Sequence, residues 1–113
     1  MSIPVQVLND QISVAPQLSP EHMAAVAAAG YRSVINNRPD LEGGTEQPSS
    51  AAIEAAARAA GLEYRHLPVA GGYQSPEEIA AMKALLSELP SPVLAFCRSG
   101  ARSTKLYLAS QGD

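Results

Sequence analysis

Tryptophan is absent from this chain, cysteine and phenylalanine occur once each, and histidine occurs twice. One cysteine cannot form an internal disulfide, so a disulfide scaffold is excluded and a reducing, cytoplasmic setting is the expectation. The two histidines lie far from each other and from the cysteine, which leaves no metal-ligand spacing; no metal or other cofactor is expected. A formal net charge of -3 with so few aromatic rings argues against a nucleic-acid surface, which needs a basic field and stacking platforms. No apolar run is long enough to span a bilayer, and the opening "MSIPVQVLND" lacks the charged-then-apolar pattern of a secretory leader.

What is present is enough for one folded domain. The 113 residues are 46% hydrophobic, sufficient to bury a core without staples. Short β-prone runs, "VQVL", "ISVAP", "YRSVINN", "LEYRHLPV" and "VLAFC", alternate with alanine-rich helical stretches. That rhythm predicts a single α/β domain over residues 1–113, with a twisted, mostly parallel sheet flanked by helices. The first two runs, punctuated by Pro4, Pro16 and Asn9-Asp10, predict an edge hairpin. Ser19-Pro20 predicts a helix start that Gly30 ends, and Ser49 or Ser50 opens a second helix closed by Gly61. Ser75 and Glu78 form a capping box for a third, whose Ile79, Met82, Leu85, Leu86 and Leu89 share one face before Pro90. A fourth is expected just after Cys97. The stretch "NNRPDLEGGTEQPSS" is a long polar loop, of the kind that is either functional or mobile.

Chemistry concentrates in "FCRSGARS". An isolated cysteine after an apolar strand is ordinarily a packing residue. Here it precedes a glycine turn and a helix start, at the carboxyl edge of a parallel sheet, where α/β proteins bind ligands. Around Gly100, backbone N–H groups from Arg98, Ser99, Gly100 and Ala101 onward can form an anion nest backed by the helix dipole. Such a nest, with Arg98 and Arg102 nearby, favours a thiolate on Cys97. Arg102 suits bidentate binding of a tetrahedral oxyanion, and Ser103 can donate to the thiolate or a leaving group.

With these residues in place, the chain resembles the beta-lactamase-hydrolase-like family with a phosphatase-like domain, and its loop resembles that of single-domain rhodaneses. The resemblance rests on "ISVAPQLSPE", "GYRSVINNRPD", "EQPSS", "GLEYRHLPV" and "PVLAFCRSGARS", nearly the whole chain. It implies the fold of small dual-specificity phosphatases, and either phosphatase or sulfurtransferase activity. Those families carry more helix after the catalytic one, so the resemblance also implies a domain cut short at Asp113.

Two departures separate the activities. Phosphatases of this shape place five residues between cysteine and arginine, whereas four stand between Cys97 and Arg102. They also use an aspartate on a separate loop to protonate the leaving oxygen, yet "LPVAGGYQSPEE" contains none. Displacing sulfite from thiosulfate needs no such acid. The expectation is therefore a sulfurtransferase that carries sulfane sulfur as a Cys97 persulfide, from thiosulfate or a small persulfide to a thiol such as glutathione. A cysteine-dependent phosphatase working through a Cys97 phosphoenzyme is the alternative. A non-catalytic persulfide or anion module is the third, docking on a partner such as the persulfide-oxidising enzymes to which related domains are fused. Asp40 is the candidate acid if its loop folds over Cys97, although the sequence around Pro39 favours a turn or cap. Arg38 is a candidate anion binder and Tyr73 a candidate pocket wall. Asn36 and Asn37 are expected to close backbone hydrogen bonds at their strand end, and His66 to be a core or rim residue.

Overall fold

The computed structural model describes residues 3–111, so the ends of the expected 1–113 domain, Met1, Ser2, Gly112 and Asp113, lie outside the described residues. Five strands form one sheet in the order β1-β2-β5-β3-β4. These are β1 (Gln6–Val7), β2 (Ile12–Ala15), β3 (Ser33–Asn36), β4 (Glu63–His66) and β5 (Val93–Phe96). Only β1 runs antiparallel, closing the expected edge hairpin onto β2 with Gln6 opposite Val14. The Asn9 side-chain oxygen builds the turn by accepting from the backbone N–H of Gln11 (2.7 Å) and Ile12 (3.1 Å).

The three inner strands are buried on both faces, which is why "SVIN" and "VLAF" read as continuous runs and not as alternating ones. The two-residue period of a strand sorts their side chains into two cores. Ile12, Val14, Ile35, Val93 and Ala95 face α3 (Pro76–Glu88) and α4 (Ala101–Gln111), packing on Met82, Leu86 and Leu106. Ala15, Val34, Tyr64, Leu94 and Phe96 face α1 (Met23–Ala28) and α2 (Ser50–Ala59), packing on Val26 and Ile53. Each fully buried aliphatic side chain contributes roughly 1.5–3 kcal/mol. Strand β5, between β2 and β3 in matched parallel register, is the centre of both cores.

Two helices differ from expectation. The stretch after Ser19 opens as a 3-10 turn, Pro20–His22, before α1. The His22 Nδ1 accepts from the Ser19 N–H at 3.0 Å, and this tight local contact replaces the first α-helical turn. Gly30 then ends the segment at φ 101°, a conformation without penalty only for glycine. Helix α4 begins at Ala101 and not directly after Cys97, because Arg98 to Gly100 are spent wrapping around the sulfur. Helix α3 has its capping box: Ser75 Oγ accepts from Glu78 N (3.1 Å) and Glu78 Oε1 from Ser75 N (2.8 Å). Ser75→Ala should cost about 1 kcal/mol, seen as a lower urea midpoint at unchanged slope.

Candidate active site

The carboxyl ends of β3 and β5 are adjacent, so the segments leaving them meet at one edge of the sheet. Cys97, the first residue after β5, is only 1% exposed. Its sulfur accepts from the Gly100 N–H at 3.0 Å, which the φ of 96° at Gly100 makes possible. Burial pushes the thiol up. The N–H groups of Ser103, Ser99 and Gly100 and the Ser103 hydroxyl pull it down, and the balance lies below the ordinary thiol range. The leading causes of the lowering are the loop's own N–H groups and the Ser103 hydroxyl.

The Ser103 hydroxyl also donates to Asn37 Oδ1 at 2.8 Å. It has one proton and two acceptors, the thiolate and the amide, and so ties the charge of Cys97 to β3. Ala101 N–H turns to Ser99 Oγ at 3.3 Å and caps the helix start instead of joining the sulfur's partners.

Arg102 leaves this loop sideways. Its Nη1 donates to the Val69 carbonyl (3.0 Å) and its Nη2 to Glu42 Oε1 (3.1 Å), while Nε is buried without a partner. The same carboxylate oxygen accepts from Arg38 Nε at 2.8 Å. Arg38, Glu42, Gly43, Gly71, Arg98 and Arg102 line a hollow of about 650 Å³. A hollow of similar size, about 660 Å³, follows β2 and the start of α4, but neither an arginine nor a carboxylate lines it. That hollow carries Lys105 beside Ser99, Gly100 and Ala101, whereas the arginines gather in the other.

Glu42 reaches Arg102 through a strained turn. Leu41 adopts φ 66°, two-thirds exposed, at a cost of about 1 kcal/mol for a non-glycine residue. Gln47 holds the turn, accepting from Gly43 N (2.7 Å) and donating to the Pro39 carbonyl (2.9 Å). A side chain at Gly43 would approach Arg38 Nη2 to 2.8 Å, so it would have to displace that guanidinium.

The expected site residues are thus distributed unevenly. Cys97, Gly100 and Ser103 come together at the sulfur, while Arg102 lines the hollow with Arg38 and Arg98. Asp40 does not: its carboxylate accepts from Ser50 N at 2.8 Å and caps α2. The long loop does close on the site, but it delivers Glu42, which lies two residues further on. Tyr73 stands 68% exposed outside the lining, and Gly71 takes the wall position against Arg102. Asn36 closes its strand end as expected, accepting from Arg38 N at 2.9 Å. His66 Nε2 meets the Arg38 carbonyl at 2.9 Å and must donate there, steadying the loop from the rim.

Residues 4–113 match the family described as beta-lactamase hydrolase-like protein, phosphatase-like domain. The chain belongs to this family. It is 36% identical over 104 residues to the beta-lactamase hydrolase-like protein of Xylella fastidiosa, covering 92% of this chain and 24% of that protein. The chain thus spans about a quarter of the length of the curated relatives it matches. A structure from Neisseria meningitidis, described as a candidate phosphatase, superposes with a TM-score of 0.82 at 30% identity, covering 89% of this chain and 71% of that one. Another from Shewanella putrefaciens, likewise described, reaches 0.84 at 20% identity over 97% of this chain and 72% of that one, and speaks for the fold alone. The fold is that of cysteine phosphatases. These likenesses support the phosphatase side of the expectation, and none of these names mentions sulfur transfer.

Two measurements check the site. Iodoacetamide alkylation of Cys97 should reach half its maximal rate below about pH 8.5, the ordinary thiol value, and Ser103→Ala should move the profile to higher pH by removing a donor to the thiolate. Asp40→Ala should lower stability by about 1 kcal/mol in thermal unfolding, through loss of the α2 cap, whereas Asp40→Asn keeps an acceptor and should lose less.

Proposed function

We propose that this domain transfers sulfane sulfur in the cytoplasm through a Cys97 persulfide. The observation that carries the reading is the pairing of Glu42 with two guanidinium groups, Arg38 Nε at 2.8 Å and Arg102 Nη2 at 3.1 Å. Among the described residues Glu42 is the acidic side chain lining the arginine pocket, and burial, which raises its pKa, is outweighed by hydrogen bonds from Arg38 and Arg102, so it lies below the usual carboxylate range. At neutral pH it has no proton to give. With Asp40 capping α2 and His66 donating to a carbonyl, the site holds a nucleophile and an anion binder without a poised acid.

Such a site suits a leaving group that departs without a proton. The Cys97 thiolate attacks the outer sulfur of thiosulfate or of a small persulfide. A new S–S bond forms at Cys97, the donor's S–S bond breaks, and its electron pair leaves on sulfite or on a thiolate. An acceptor thiolate, such as that of glutathione, then takes the outer sulfur and restores the Cys97 thiolate, so no outside oxidant or reductant is needed. Arg102, in the wall of the hollow, is the contact for the donor's anionic end.

Hydrolysis of a phosphate ester through a Cys97 phosphoenzyme is the second reading, supported by the phosphatase fold and family. It requires a proton for the departing alkoxide, which this pocket is not arranged to supply. Purified protein given thiosulfate with cyanide or glutathione should transfer sulfur, and Cys97→Ser should abolish it. Mass measurement after thiosulfate should show one added sulfur on Cys97. Release of phosphate from para-nitrophenyl phosphate that depends on Cys97, without sulfur transfer to either acceptor, overturns the proposal in favour of the phosphatase.

A further inference from the structure

Glu42 is an unexpected neighbour for an anion-binding arginine. A carboxylate bound to Arg102 Nη2 and Arg38 Nε occupies donors that an incoming anion would otherwise use. The arrangement is built: Gly43 leaves room for Arg38, Gly71 leaves room for Arg102, and Leu41 accepts strain to set Glu42 between them. Three arginines line the pocket, Arg38 and Arg102 in its wall and Arg98 at its exposed rim. Against them stand Glu42 and the Cys97 thiolate at the loop beside it, leaving one surplus positive charge. A singly charged reacting group is neutralised by that surplus. A dianion is left with an unmatched negative charge next to a carboxylate and a thiolate, both in partly desolvated surroundings where repulsion is poorly screened.

We propose that Glu42 sets the charge selectivity of this site, favouring sulfur donors whose reacting end carries one negative charge, such as a persulfide or thiosulfonate, over dianionic thiosulfate or a phosphate monoester. The donor class rests on the sulfur-transfer reading above; the charge selectivity itself does not. Glu42 acts through its charge and through the arginines it holds, which makes it a specificity-determining residue and not a catalytic one.

The test uses anions matched in shape and differing in charge. Sulfate and methanesulfonate, at constant ionic strength, are titrated as protectants of Cys97 against iodoacetamide in the native protein, Glu42→Gln and Glu42→Asp. Glutamine keeps an oxygen acceptor for both arginines but removes the charge. Because a fixed charge acts twice as strongly on a dianion, the gain for sulfate should be the square of the gain for methanesulfonate. About threefold for methanesulfonate and about ninefold for sulfate is expected in Glu42→Gln, with the ratio unchanged in Glu42→Asp. In turnover, KM for thiosulfate should fall relative to KM for methanethiosulfonate in Glu42→Gln, while the ratio of their kcat values holds. Equal changes for the two anions, or sulfate binding that is unchanged or weaker, overturn the proposal, because a structural role would move both alike. If neither donor is turned over by the native protein while the sulfate-to-methanesulfonate ratio shifts as stated, sulfur transfer fails and the charge selectivity stands.

Discussion

The side chain and backbone of Asn37 hold the working edge of this domain together. Its N–H donates to the Phe96 carbonyl (2.8 Å), its carbonyl accepts from Val69 N (3.0 Å), its Nδ2 donates to the Leu67 carbonyl (3.2 Å) and its Oδ1 accepts from Ser103 Oγ. The residue is fully buried, so each bond left unmade would cost about 1–3 kcal/mol of desolvation. Four segments are therefore fixed by one residue: the ends of β3 and β5, the strand exit that carries Val69, and the first turn of α4. The Val69 carbonyl in turn receives Arg102. The position of the arginine relative to the sulfur follows from packing that begins at Asn37.

Thiolate formation and anion binding are separated in space. The loop's N–H groups and Ser103 stabilise the sulfur, and they are short-range, oriented dipoles. The guanidinium groups gather in a hollow beside it, where Glu42 moderates them. Had the arginines themselves been the thiolate's main support, every anionic substrate would have competed with the nucleophile for the same charges. Using backbone dipoles for one task and side-chain cations for the other avoids that conflict.

What the sequence disclosed follows the range of the interactions. Cys97, Gly100, Arg102 and Ser103 belong to one strand-turn-helix segment, so their proximity is written in their spacing. The edge hairpin and the caps at Ser49 and Ser75 were equally local, whereas the insertion of β5 between β2 and β3 is not. Asp40 serves as the cap that the sequence around Pro39 favoured over an acid, but its partner, the backbone N–H of Ser50, lies ten residues on and beyond the glycines. Glu42 went unnoticed because its decisive contact is with Arg102, sixty residues away. One signal was available: Arg38 and Glu42 stand four apart, the spacing of an ion pair across a helical turn. Tyr73 was the candidate pocket wall, yet the wall is made by Gly71, where the absence of a side chain is the useful property. Composition offers no way to see a residue that functions by being small.

Arg102 is held by a carbonyl from one loop and a carboxylate from another while rooted in a third. Inserting a single residue between Cys97 and Arg102 would swing the guanidinium off both anchors at once. The length of one short turn is thus locked by partners far away in the chain.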